Sequence, residues 1–161
     1  MALMDGARYG LATPGEIHGL SGLEILQAMI EGRLPAPPIC QGMTFRLTEV
    51  SDGRAVFTGE TGRHLLNPLG GVHGGWALTL VDSATGCAAF STLPPGVAYT
   101  TVETKANFVR GIAHDTGLVR CEAVVLARGR QIITAEAKLT DASGKLLAHG
   151  SATMIVLPPR Q

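Results

Sequence analysis

The chain has 161 residues, 45% of them hydrophobic and 16% charged, with thirteen Lys and Arg balancing thirteen Asp and Glu. This describes one globular domain able to bury a sizeable core, and it excludes a disordered chain. The even charge, with no basic tract and no basic-aromatic stripe, argues against nucleic acid or an anionic membrane as partner.

The opening "MALMDGARYG" lacks the basic start and apolar run of a secretory signal. No apolar stretch reaches the roughly 18–20 residues of a membrane-spanning helix. Cys40, Cys87 and Cys121 are widely spaced with no CxxC pair. They read as small buried apolar residues, not as a disulfide framework, a zinc site or nucleophiles, and they fit a cytoplasmic protein. Residues 1–20 have loop composition. "SGLEILQAMIEG" then begins with Ser21 and places Glu24 three positions on, the pattern of a capping box. Leu23, Leu26, Met29 and Ile30 share a helical stripe, and Gly32 suits the helix end. "LPAPP" at 34–38 is a stiff linker. Residues 1–40 thus form an N-terminal segment with one short helix, ahead of a main domain over 41–161.

"MTFRLTEV" alternates apolar and polar residues, "SDG" at 51–53 turns the chain, and "RAVFTGET" returns as a second strand. A helix of about 74–91 follows, apolar on nearly every face. After "LPPG" (93–96) come four further strands, at about 97–110, 116–127, 131–140 and 145–156. Strands in antiparallel succession with segregated helices indicate an α+β fold. A helix with no polar face must be wrapped, and a strongly curved antiparallel sheet around one central helix does this.

The chemistry-bearing stretch is "NPLGGVHGGWALTLVD" (67–82). Gly74 and Gly75 form the first helical turn, where N–H groups lack intrahelical acceptors and sit at the positive end of the dipole. Donors placed there suit a developing oxyanion. Asp82 lies nine positions after His73. Nine residues rise about 13–14 Å along a straight helix and end on the opposite face. His73 and Asp82 of one chain therefore cannot share a reaction centre. Two antiparallel copies of the helix bring the acid of one to the glycine turn of the other, making two equal sites in an isologous dimer. The apolar neighbours of Asp82 favour its protonated form, while facing hydroxyls or backbone donors favour the carboxylate. Such a group serves as general base toward water or attacks an acyl carbon directly.

Each residue also has a plainer reading. Asp82 can be a buried hydrogen-bonded residue, His73 can pack on Trp76, and Asn67 before Pro68 is an ordinary turn starter. Thr101 suits a strand by propensity alone, and Arg128 and Arg130 beside a hairpin glycine suit solvent. His18, His64, His114 and His149 are scattered and suggest no metal cluster.

"NPLGGVHGGWALTLVDSATG" with "TTVETKANFVRG" resembles the hotdog-fold acyl-CoA thioesterases, in particular the phenylacetate-pathway (PaaI-like) and THEM2-like branch. The resemblance covers residues 21–157 and is strongest over 67–110. It implies a hotdog fold and hydrolysis of an acyl-CoA to the free acid and CoA, with no cofactor beyond the CoA of the substrate. It implies that Gly74 N–H binds the thioester carbonyl. His73 and Asn67 orient the thioester or the attacking water, and Asp82 of the partner is base or nucleophile. The Ser or Thr that the family places near the acid matches Thr101, with Thr100 its neighbour. Gly75 and Thr100 line the substrate, and Arg110, Arg128 and Arg130 stand where the CoA nucleotide sits. The low charge fits further association of the homodimer into a homotetramer. Two alternatives are a hotdog dehydratase or hydratase and a non-catalytic acyl-CoA-binding protein.

Overall fold

The computed structural model describes residues 6–157. The first five residues of the opening segment and the last four of the expected main domain lie outside them. Four helices and six strands follow in order: α1 (Pro14–Ile17), α2 (Gly22–Ile30), α3 (Pro38–Gly42), β1 (Phe45–Ser51), β2 (Arg54–Glu60), α4 (Gly74–Phe90), β3 (Ala98–Phe108), β4 (Leu118–Arg128), β5 (Ile132–Asp141) and β6 (Leu146–Leu157).

The helices start where side chains satisfy the exposed N–H groups. Ser21 and Glu24 cap α2 reciprocally, as their spacing predicts. Thr13 and Glu16 make the same box at α1, with Pro14 at its first position. The expectation of plain loop before residue 21 missed this short turn. α2 buries Gly22, Ile25, Leu26 and Ala28. Its buried face is therefore rotated from the expected stripe, and Ile30 is exposed. The reason is Gly22, whose missing side chain lets α2 rest on the backbone of Phe90. A Cβ there would lie 1.9 Å from the Phe90 carbonyl oxygen.

The six strands form one antiparallel sheet in the order β1-β2-β4-β5-β6-β3. α4 packs against all six. Nine of its seventeen residues are buried, including Trp76, Leu80, Val81 and Ala84, which is what a helix without a polar face requires. The closest approaches occur where side chains are missing. Gly59 accommodates the Trp76 ring, Gly86 lies beneath Tyr99, and Gly150 lies between Val81 and the Lys105 carbonyl. The indole Nε1 of Trp76 donates to the Met43 carbonyl at 2.7 Å, so this ring packs inward and away from His73.

β3 and β1 are the sheet edges. In β3 the register against β6 shifts between Thr101 and Glu103, so Val102 is an extra residue. A bulge of this kind inverts the alternation of faces beyond it. Thr101 opposes Met154 before the bulge. After it, Thr104, Ala106 and Phe108 oppose Ala152, Gly150 and Ala148. All four of those β6 residues are buried, so Thr104 and Phe108 face α4. No helix among the described residues is long and apolar enough to cross a membrane.

Candidate active site

The loop before α4 is held mostly by its own backbone and by Asn67. The Asn67 N–H donates to the Gly71 carbonyl at 2.8 Å, and Gly70 N–H returns to the Asn67 carbonyl at 3.0 Å. The Asn67 Oδ1 accepts from Leu69 N–H at 2.9 Å and from Gly71 N–H at 3.3 Å. Gly70 takes φ +84, which explains a glycine at this corner. Two further bonds anchor the loop, His73 N–H to the Leu65 carbonyl and Val72 N–H to the Ile112 carbonyl. Asn67 thus spends its side-chain carbonyl on shaping the loop, while its NH2 has no acceptor among the described residues.

His73 is the N-cap of α4. Its Nδ1 accepts from Gly75 N–H at 2.8 Å. A neutral ring accepting at Nδ1 carries its proton on Nε2, so the exposed edge of His73 is a donor. Gly75 therefore has its N–H engaged already, while Gly74 N–H has no acceptor among the described residues. Of the expected pair of glycine N–H groups, Gly75 is thus engaged by the cap and Gly74 is not. Phe108 lies across Gly74, with ring atoms 3.2–3.4 Å from where a Cβ would stand.

Asp82 is half-buried on α4, and its Oδ1 accepts from Thr104 Oγ1 at 2.8 Å. The hydroxyl that holds the acid is thus Thr104. Thr100 is exposed and Thr101 half-buried, and neither makes a hydrogen bond to Asp82 among the described residues. Only the bulge at Val102 turns Thr104 toward the helix, and alternation counted from the sequence misses it.

Asp82 and Ser83 border a cavity of about 540 Å³, which also meets Cys87, Tyr99, Phe57 and Met29 but none of Asn67, His73 and Gly74. The glycine turn and the acid of one chain therefore face different places, as the helical spacing requires. The cysteines are free. Burial pushes the Cys40 thiol up to about 11 and those of Cys87 and Cys121 up to about 12, so none is a ready thiolate. Burial also raises the Tyr99 phenol. No group of three or more His, Cys, Asp or Glu side chains among the described residues is placed to hold a metal.

The arginines divide between two ends of the sheet. Arg110 Nη1 donates to the Leu146 carbonyl at 2.8 Å, at the start of β6. Arg128 and Arg130 border a shallow recess with Leu93, Pro94 and Val156, near the end of β6. Val156 lies ten residue steps beyond Leu146 along β6, about 33 Å of extended strand.

Residues 69–148, which hold the glycine turn, Asp82 and Thr104, match the family described as the thioesterase superfamily. The chain belongs to that family. It is a thioester hydrolase of hotdog fold, α+β with a central helix wrapped by six antiparallel strands. Among its relatives is the 1,4-dihydroxy-2-naphthoyl-CoA hydrolase of Listeria monocytogenes serotype 1/2a (strain 10403S). It is 28% identical over 115 residues, which are 71% of this chain and 92% of the relative. A conserved protein from Pseudomonas aeruginosa shares 32% identity and superposes with a TM-score of 0.70, covering 74% of this chain and 94% of its own. A phenylacetic acid degradation-related protein from Ralstonia eutropha JMP134 shares 26% identity with a TM-score of 0.73, covering 81% of this chain and 98% of its own. Residues 1–68 of this hotdog thioesterase lie outside the family match.

Proposed function

We propose that this thioesterase hydrolyses acyl-CoA to free acid and CoA at a site that two copies of the chain build together. The observation that carries the reading is the separation on α4. Gly74 N–H and the His73 donor stand at the helix start, whereas Asp82, bonded by Thr104, borders a cavity that meets neither. Two copies with antiparallel α4 helices bring one copy's donors to the other's acid. Strand β3 offers the surface for that pairing. Its outer edge is unpaired in the sheet order, and Val102, Phe108 and Val109 are exposed at 52%, 57% and 46%. Antiparallel pairing of two β3 edges also sets Arg110 of one copy near the Arg128 and Arg130 end of the other, a basic cluster for the CoA phosphates.

In this arrangement the thioester oxygen accepts from Gly74 N–H, with the helix dipole behind it. The His73 Nε2 proton and the Asn67 amide orient the thioester or the water. Asp82 of the facing copy, held by Thr104, takes a proton from water as it adds to the carbonyl carbon, or forms a transient anhydride that water opens. The tetrahedral intermediate collapses with loss of the CoA thiolate. The Listeria relative, a hydrolase of an acyl-CoA, supports the CoA ester as substrate class. The domain division at residues 40/41, the pairing of dimers into a tetramer and a cytoplasmic location belong to the same proposal.

The test is to follow thiol release from a panel of acyl-CoA esters. The reading expects turnover by the native protein and none by Asp82→Ala with its fold and self-association intact. Saturable binding without release would favour a sensor, and hydration of an enoyl-CoA a hydratase.

A further inference from the structure

We propose that the passage walled by residues 6–48 is the acyl chamber of this enzyme and that it selects a long aliphatic chain. This inference rests on thioester cleavage beside Asp82. Asp82 and Ser83 line the passage, as do Cys87, one turn further along α4, and Tyr99. Leu26, Met29, Ile30 and Leu34 from the N-terminal segment line it together with Leu47 and Phe57 from the sheet. The volume of about 540 Å³ lies within the range of small-molecule sites, and aliphatic side chains outnumber the four aromatic ones, Tyr9, Phe45, Phe57 and Tyr99, in its wall.

Two features favour a chain over a compact or substituted acyl group. First, no end wall closes the passage among the described residues. Gly6, Glu31 and Ile39 belong to its lining and are exposed, so it reaches the surface on the N-terminal side. A chain can run through such a passage, each buried methylene adding about fourfold to binding, whereas a small ring would find no end wall to fix it. Second, three polar side chains along the passage are engaged elsewhere, although the Tyr9 hydroxyl, buried in its wall, has no partner among the described residues. Arg8 donates to the Arg33 carbonyl, and Glu31 is paired with Arg33. The Thr48 hydroxyl meets the Val56 carbonyl and Thr58. A hydroxylated or charged acyl group gains little from these three. The wall formed by residues 6–48 also lies outside the region matched by the family, so chain-length selection rests on residues beyond that match.

The experiment compares acetyl-, dodecanoyl-, hexadecanoyl- and phenylacetyl-CoA with the full chain and two plugging variants, Met29→Trp and Ile39→Trp. Ile39 is half exposed at 50%, so the second variant keeps its fold if the first does not. Native kcat/KM should rise from acetyl to the long chains, with phenylacetyl below dodecanoyl. Each plug should lower the long-chain value by about tenfold or more and leave acetyl within about twofold. Calorimetry with a non-hydrolysable dodecyl thioether of CoA should show the same loss of binding. If no ester is cleaved yet the plugs weaken the thioether, the hydrolysis reading fails and the chamber stands. Cleavage with an unchanged length profile in both plugs, or a native preference for acetyl or phenylacetyl, overturns the chamber.

Discussion

The start of α4 and its middle use opposite means to present chemistry. At the start, Gly74 N–H is offered by the main chain, and the loop that frames it is tied mostly within a few residues, by Asn67 and by the His73 cap, with one distant anchor at the Ile112 carbonyl. In the middle, Asp82 depends on Thr104, twenty-two residues away on another element, through a single bond of 2.8 Å. A main-chain donor can be removed only by changing the backbone, whereas a hydroxyl is lost with one side chain. The two halves should therefore fail in different ways when altered.

Loss of the acid has the largest expected effect. Asp82→Ala should lower kcat by about 1,000-fold or more, since both routes use this group. Next comes Gly74→Pro, which deletes the N–H proposed for the oxyanion. Pro is well suited to the first helical position, and His73 already has the extended backbone, φ −63 and ψ 130, that a following proline needs. The Phe108 ring must give way, and Phe108 is 57% exposed. A fall of about 100- to 1,000-fold in kcat with an unchanged melting temperature is expected. Gly74→Ala keeps the donor and should cost far less, which separates the N–H from the ring contact.

Thr104→Val should follow, with about a tenfold loss in kcat/KM or more, because a hydrogen bond to a charged group is worth about 1.5–3 kcal/mol. Thr104→Ser should restore most of the activity. Thr101→Val should change little; a larger loss there than at Thr104 would return the positioning role to the residue that the family resemblance favours. The smallest effect is expected from alkylation at pH 8. Burial raises all three thiols to about 11 or 12, so little thiolate forms at that pH, and activity should survive iodoacetamide.

The same contrast explains what could be read from the sequence. Elements whose causes are local were legible: the Ser21 and Glu24 cap, the "SDG" turn, the six strands within two or three residues, and the helix that had to be wrapped. The glycine turn was legible because its residues adjoin, although the bond between His73 and Gly75 was not, since it depends on a side-chain rotamer. Thr104 was hidden because an extra residue, Val102, inverts strand parity midway through β3. Nothing in "TTVETKANF" marks that bulge. Phe108 against Gly74 was hidden for the same reason. The chamber was hidden because its walls come from α2, β1, β2 and α4 together, and only packing brings them to one place.

The shared site is tested most directly by mixing two inactive variants. Asp82→Ala and Gly74→Pro are unfolded together and refolded as a mixture. If each site takes its donor from one copy and its acid from the other, half the dimers are mixed and each carries one intact site, so activity returns to about one quarter of native. A mixture no more active than its parents, with mixed dimers verified by mass, would contradict the account.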